Sequence, residues 1–100
     1  MRETLPFSLQ QAQSWRARYQ TPFYVYDEAG IRACVTQLQR AFSWNPGFRE
    51  YFAVKALPTP AILRLLQSLG CGADCASISE LMLSERSGIT GSAIMFSSNE

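Results

Sequence analysis

"YFAVKALPTP", residues 51–60, sets a lysine directly behind four apolar residues and ahead of a proline-punctuated turn. With Glu50 in front, the run "EYFAVK" is apolar on both faces, the pattern of a parallel strand covered on each side rather than of a hairpin strand with one wet face. Thr59 and Pro60 then supply an N-cap and a first-turn proline for a helix carrying Ile62, Leu65, Leu66 and Leu69, and Gly70 stands where a C-terminal glycine belongs. Residues 50–70 therefore read as one strand and one helix bracketed at both ends, with "LRLLQSL" (63–69) as core packing.

The same alternation continues downstream. "GADCA" (72–76) reads as a short strand, Ser77 and Glu80 form the S-x-x-E capping box of a helix running to about Ser87 and ended by Gly88, and "AIMFS" (93–97) is one more strand. Met82 and Met95 are assigned to the core. Strand, helix, strand, helix, strand, with connections of a few residues, argues for a parallel α/β sheet wound by right-handed crossovers. A closed (β/α)8 barrel takes about 250 residues. Within 100 residues only its first βα units fit, so the chain reads as the front of a longer protein.

Upstream, residues 8–19 read as a short amphipathic helix, and "TPFYVYD" (21–27) as an aromatic-rich strand with Pro22 at its entrance. Asp27 is a good N-cap for a helix whose apolar residues Ile31, Val35, Leu38 and Phe42 recur at helical spacing, closed by "NPG" (45–47). No repeat or low-complexity segment interrupts the chain, and Trp15 and Trp44 receive no role.

Composition narrows the function. The chain is 47% hydrophobic and 17% charged with a net charge of +1, which is globular material without a basic stripe for nucleic acid. No apolar run approaches the roughly 20 residues of a membrane span, and "MRETLPFSLQ" has no signal-peptide core, so a cytoplasmic protein is expected. Three cysteines, an odd number, fit a reducing compartment. Cys71 and Cys75, four residues apart on a strand, would lie roughly 13 Å apart, too far for a disulfide or a shared zinc, and no metal site is expected. The absence of histidine excludes a Ser-His or Cys-His pair built from these residues.

Lys55 is the residue that stands out. Ending the first barrel strand, it would occupy the C-terminal mouth where such barrels build their active sites, with the pleat aligning Tyr51, Ala53 and Lys55 on one face. A buried, unpaired ammonium is costly, so an inward lysine pairs with a carboxylate, loses its proton more readily, or is held covalently by a carbonyl cofactor. Spacing alone favours a Lys55 that leaves the strand end for solvent.

The ordered blocks "TPFYVYDEAGIRA", "YFAVKALPTPAILRLLQSLGCGADCASISELMLSERSGI" and "IMFSSN", spanning residues 21–99, strongly resemble the N-terminal part of the pyridoxal-phosphate-dependent decarboxylases of the alanine-racemase-like fold. This group contains the diaminopimelate decarboxylases and the eukaryotic-type ornithine decarboxylases. The resemblance implies an alanine-racemase-like (β/α)8 TIM barrel beginning in residues 45–100. Residues 1–44 would hold an N-terminal helix, a strand belonging to a second β-domain, and a connecting helix. It implies that Lys55, in "AVKA", forms the internal aldimine with pyridoxal 5'-phosphate and later shuttles a proton.

On the same resemblance, Asp74 in "GADCAS" matches an aspartate near the lysine and cofactor, and Glu80 in "SISEL" matches an acid close to the cofactor site. A strand-end turn residue remains the other reading of Asp74, and the capping box already accounts for Glu80. Ser97 and Asn99 in "FSSN" match a segment at the third strand's mouth, where plain loop polarity is the other reading. Leu57 departs from the family, which commonly carries an asparagine two residues after the lysine. The cofactor-stacking histidine, the glycine-rich phosphate loop, the acid at the pyridine nitrogen and the partner-subunit cysteine come later in such proteins, so this chain alone is expected to be inactive.

The expected activity is decarboxylation of meso-diaminopimelate to L-lysine in a homodimeric enzyme, "MFSSN" and "TPFYVYDE" leaning to that branch. "GADCAS" keeps an ornithine- or arginine-type decarboxylase as the alternative. A non-catalytic barrel homologue with a binding or regulatory role, or a racemase on the same barrel, remains open.

Overall fold

In a computed structural model describing residues 4–97, three short strands form one parallel sheet: β1 (Tyr51–Ala53), β2 (Gly72–Cys75) and β3 (Ile94–Phe96), in that spatial order. The helices are α1 (Leu9–Arg18), α2 (Glu28–Ala41), α3 (Pro60–Ser68) and α4 (Ile78–Arg86). The chain divides into two compact units, Met1–Ile31 and Arg32–Glu100.

In the second unit, α3 connects β1 to β2 and α4 connects β2 to β3, the expected βα rhythm. Tyr51 pairs with Gly72, Phe52 with Ala73, and Ala53 with Asp74; on the other side Ala73 pairs with Ile94, Asp74 with Met95, and Cys75 with Phe96. Because paired residues share a face of the sheet, Phe52, Ala73 and Ile94 form one row while Ala53, Asp74 and Met95 form another on the opposite face. The first row joins the core: Val54, Leu63, Ala73, Cys75 and Ile89 are buried together, with Phe52, Leu81, Leu83, Ala93 and Ile94 against them. Full burial of a side chain the size of Leu63 contributes about 1.5–3 kcal/mol, so this one-sided core carries the unit.

Local signals set the helix ends. Pro60 occupies the first turn of α3, and the Thr59 carbonyl accepts from the Ile62 and Leu63 amides at 3.0 Å; the Thr59 side chain adds no cap bond. At the other end Gly70 adopts φ +88°, which a residue with a Cβ rarely does, and this lets Gly70 N donate to Gln67 O and Cys71 N to Leu66 O, each at 3.0 Å. α4 ends at Arg86, with Gly88 following its Ser87 cap.

In the first unit, α1 is closed by a capping box: Ser8 Oγ accepts from Gln11 N at 3.1 Å, and Gln11 Oε1 accepts from Ser8 N at 2.9 Å. Residues 21–27, expected to be a strand, join no ladder of the sheet and are exposed throughout. The rings of Tyr24 and Tyr26 stack at 6.4 Å, about the spacing of alternate residues on an extended chain. The aromatic run therefore sets an extended backbone, while a strand also needs a partner. Met82 and Met95, assigned to the core from sequence, are each 49% exposed. Met95 belongs to the Asp74 row, on the sheet face away from the helices.

Candidate functional site

β1 stops at Ala53, and Val54–Ala56 form a single 3-10 turn, closed by Leu57 N donating to Val54 O at 3.1 Å. Lys55 therefore lies in a turn just past the strand, and the pleat that would align it with Tyr51 and Ala53 does not reach it. Val54 is fully buried under the turn, while Lys55 is exposed. Within the described residues Lys55 is thus exposed, as the solvent-facing reading of the strand end allowed. The position at the C-terminal end of the first sheet strand stands.

Asp74 occupies the neighbouring strand, paired with Ala53. Lys55 lies two residues beyond that partner; with strands about 4.8 Å apart and a 3-10 rise of about 2 Å per residue, the Lys55 and Asp74 Cα atoms lie within about 8 Å. A long lysine side chain spans that interval easily. Asp74 is half-buried, and its Oδ1 accepts from Ser97 Oγ at 2.6 Å. Ser97 is itself anchored, its amide donating to Cys75 O at 3.0 Å, so the ladder between β2 and β3 extends one residue past Phe96. Asn99 lies outside the described residues.

Glu80 serves the turn between β2 and α4. Its Oε2 accepts from Ser77 Oγ at 2.9 Å, its Oε1 accepts from Ala76 N at 3.2 Å, and Ser77 Oγ accepts from Glu80 N at 3.3 Å. Both carboxylate oxygens are thus committed, at a helix N-terminus that favours negative charge. Ser77 caps α4 as S-x-x-E predicts, while Glu80 takes the Ala76 amide in place of the Ser77 amide that would complete a capping box.

Thus Lys55, Asp74 and Ser97 share one end of the sheet, and Glu80 ties the chain leaving that end. Chemically, this mouth offers a primary amine able to condense with an aldehyde, a carboxylate able to hold an ammonium, and a hydroxyl fixing that carboxylate. The opposite end is closed by Tyr51, whose hydroxyl donates to Ser92 O at 2.9 Å, a tie that sequence spacing did not signal. Next to β2 in the core, Cys75 Sγ and Ser84 Oγ lie 3.3 Å apart, both fully buried. The three cysteines are free thiols, and no helix among the described residues is long and apolar enough to cross a membrane.

Residues 28–100 match the family described as pyridoxal-dependent decarboxylase, pyridoxal binding domain. Over 81 residues the chain is 54% identical to "Protein TabA" of Pseudomonas amygdali pv. tabaci, covering 81% of this chain and 19% of that protein. Among solved structures, it resembles diaminopimelate decarboxylase from M. jannaschi with TM-score 0.82 and 34% identity, over 89% of this chain and 22% of that one. It also resembles SrLDC, solved in complex with PLP and cadaverine, with TM-score 0.78 and 29% identity, over 93% of this chain and 24% of that one. The chain spans about a fifth of the length of the curated relatives it matches, 19% of TabA and 20% of a diaminopimelate decarboxylase from Bacteroides thetaiotaomicron.

Proposed function

Since the chain belongs to the pyridoxal-dependent decarboxylases, whose pyridoxal binding domain residues 28–100 match, we propose that Lys55 holds pyridoxal 5'-phosphate in an amino-acid decarboxylase. The observation that carries this reading is a primary amine at the C-terminal end of the first strand of a parallel α/β sheet, one strand away from the Asp74 carboxylate. The donor set suits the group: an accessible amine for its aldehyde, and a neighbouring carboxylate to balance that amine when it is released.

When bound, the cofactor supplies an electron sink for the bond that breaks as carbon dioxide leaves. Every other task falls to side chains. Lys55 Nζ anchors the cofactor at rest and, once the substrate amine has displaced it, is the amine at hand to carry a proton. Asp74 balances the Lys55 ammonium in that state. Glu80, with both oxygens engaged by the Ala76–Ser77 turn, takes part in the site by fixing the segment that follows Asp74.

The proposed substrate is meso-diaminopimelate, with L-lysine as product, supported by the likeness to the M. jannaschi diaminopimelate decarboxylase. The likeness to ornithine decarboxylase from Entamoeba histolytica, with TM-score 0.77 and 29% identity over 91% of this chain and 29% of that one, favours the second reading, a decarboxylase of a basic amino acid such as ornithine or arginine. Retention of the amine at Lys55 speaks for an enzyme over a cofactor-free binding protein. We further propose that residues 45–100 open a (β/α)8 barrel, that residues 21–27 pair within a second β-domain, and that the protein is a cytoplasmic homodimer.

The test is the absorption spectrum of the intact purified protein, followed by carbon dioxide release from each candidate amino acid. A yellow band that borohydride bleaches, lost in Lys55→Ala, together with carbon dioxide from meso-diaminopimelate, is the expected result. Release from ornithine or arginine alone would select the second reading, and an unchanged band in Lys55→Ala would overturn the assignment of Lys55.

A further inference from the structure

Ser97 has two anchors that act together. Its amide donates to the Cys75 carbonyl at 3.0 Å, which fixes its backbone to β2, and its hydroxyl donates to Asp74 Oδ1 at 2.6 Å. The second distance lies in the short range of a hydroxyl bonded to a carboxylate, the stronger class of hydrogen bond. An aspartate side chain turns about two torsions; a donor held by a separate strand ladder removes that freedom. Among the described residues Asp74 Oδ2 has no such partner. One oxygen is therefore tethered and the other is left for a cation.

We propose that Ser97 is a positioning residue: its hydroxyl locks the Asp74 carboxylate at the sheet mouth so that Oδ2 is presented to the Lys55 amine. This rests on the reading of Lys55 as the cofactor-holding residue. Ser97 touches neither the amine nor the cofactor in this role and acts only through Asp74. Without the hydroxyl, Asp74 samples rotamers facing solvent, and the released ammonium loses a fixed counter-charge.

The experiment titrates the intact apo-protein with pyridoxal phosphate and follows the borohydride-sensitive absorption band, so the readout is binding and not turnover. Ser97→Ala is expected to tighten binding about five- to tenfold, the scale of one ordinary hydrogen bond, because the fixed counter-charge stabilises the free Lys55 ammonium that binding consumes. Ser97→Thr keeps the donor and is expected to restore affinity to within about twofold, on the same reasoning. Asp74→Ala is expected to tighten binding at least as much as Ser97→Ala, and adding Ser97→Ala to it is expected to change nothing further, since a residue acting through another has no effect once that other is gone.

An equal change from Ser97→Ala with and without Asp74 would overturn the proposal, as would wild-type or weakened affinity in Ser97→Ala. Either result leaves Lys55 as the cofactor lysine. If Lys55→Ala retains the band, the underlying reading fails instead. Thermal melting of each variant identifies any that has simply unfolded, and Ser97→Thr then carries the test.

Discussion

The ring of Tyr51 lies across Gly72: a Cβ built at Gly72 would fall 2.7 Å from both Cδ1 and Cε1 of Tyr51. The same Cβ would fall 2.5 Å from the backbone carbonyl of Ala93. Tyr51 thus crosses the middle strand to reach the Ser92 carbonyl, and glycine is what leaves room for it. Gly72→Ala is expected to destabilise the fold by about 1–3 kcal/mol or more, the cost of overpacking. Urea unfolding checks this through a lowered midpoint with an unchanged slope. Combining it with Tyr51→Leu is expected to recover only part of the loss, because the Ala93 carbonyl cannot move without breaking the entry to β3. Full recovery would show that the ring alone was the obstacle.

Glu80 is expected to act on stability before it acts on chemistry. Its carboxylate binds the Ala76 amide and the Ser77 hydroxyl at the start of α4. Glu80→Ala should cost about 1 kcal/mol, in line with loss of a helix cap. Glu80→Gln, which keeps an acceptor, should cost less than that. Denaturation midpoints measured without added cofactor isolate this effect. A variant of wild-type stability but impaired cofactor affinity would instead make Glu80 a direct cofactor contact.

The thiol of Cys71 is pushed above its ordinary range, first by burial and second by the Glu50 carboxylate. The sign of the consequence follows. Below the pKa of an unfolded thiol, about 8.5, both states keep the proton and stability is complete; above it the unfolded chain releases its proton while the folded chain retains it, so stability falls as pH rises. Cys71→Ala should flatten this decline between neutral pH and about pH 10, above the ordinary thiol range. Unfolding midpoints across that range provide the comparison, and parallel curves for the two proteins would refute the assignment.

The βα rhythm was legible because its signals are local. Pro60, Gly70 and the Ser77–Glu80 pair each act within a few residues, and the structure uses all three, while the Thr59 hydroxyl makes no cap bond. The capping box of Ser8 and Gln11 was equally readable as S-x-x-Q, although the sequence reading did not draw on it. What was not legible depends on partners. Residues 21–27 carry strand-forming side chains, but a ladder takes two strands, and none of the described strands pairs with them. Lys55 follows an apolar run that predicts a strand, whereas the bond between Leu57 N and Val54 O turns the chain two residues earlier. The pairing of Ser97 with Asp74 depends on the register of β2 against β3, and register has no signature in a single strand. Hydrophobic character assigned Met95 to the core, yet the same register puts it on the open face beside Asp74.

Lys55→Arg separates charge from covalent chemistry. Lys55 is exposed in its 3-10 turn, so the fold gains nothing measurable from its ammonium. Exposed substitutions of this kind usually stay within about 0.5 kcal/mol, and Lys55→Arg should unfold at the wild-type denaturant midpoint. Arginine keeps a positive charge at this position but presents a guanidinium, which stays protonated and cannot condense with an aldehyde. If Lys55 serves only as a counter-ion for Asp74, Lys55→Arg retains cofactor affinity. If Lys55 holds the cofactor through its amine, the borohydride-sensitive band disappears from a protein that is otherwise as stable as before. Loss of the band at unchanged stability is the expected outcome, and a retained band would reduce Lys55 to an electrostatic role.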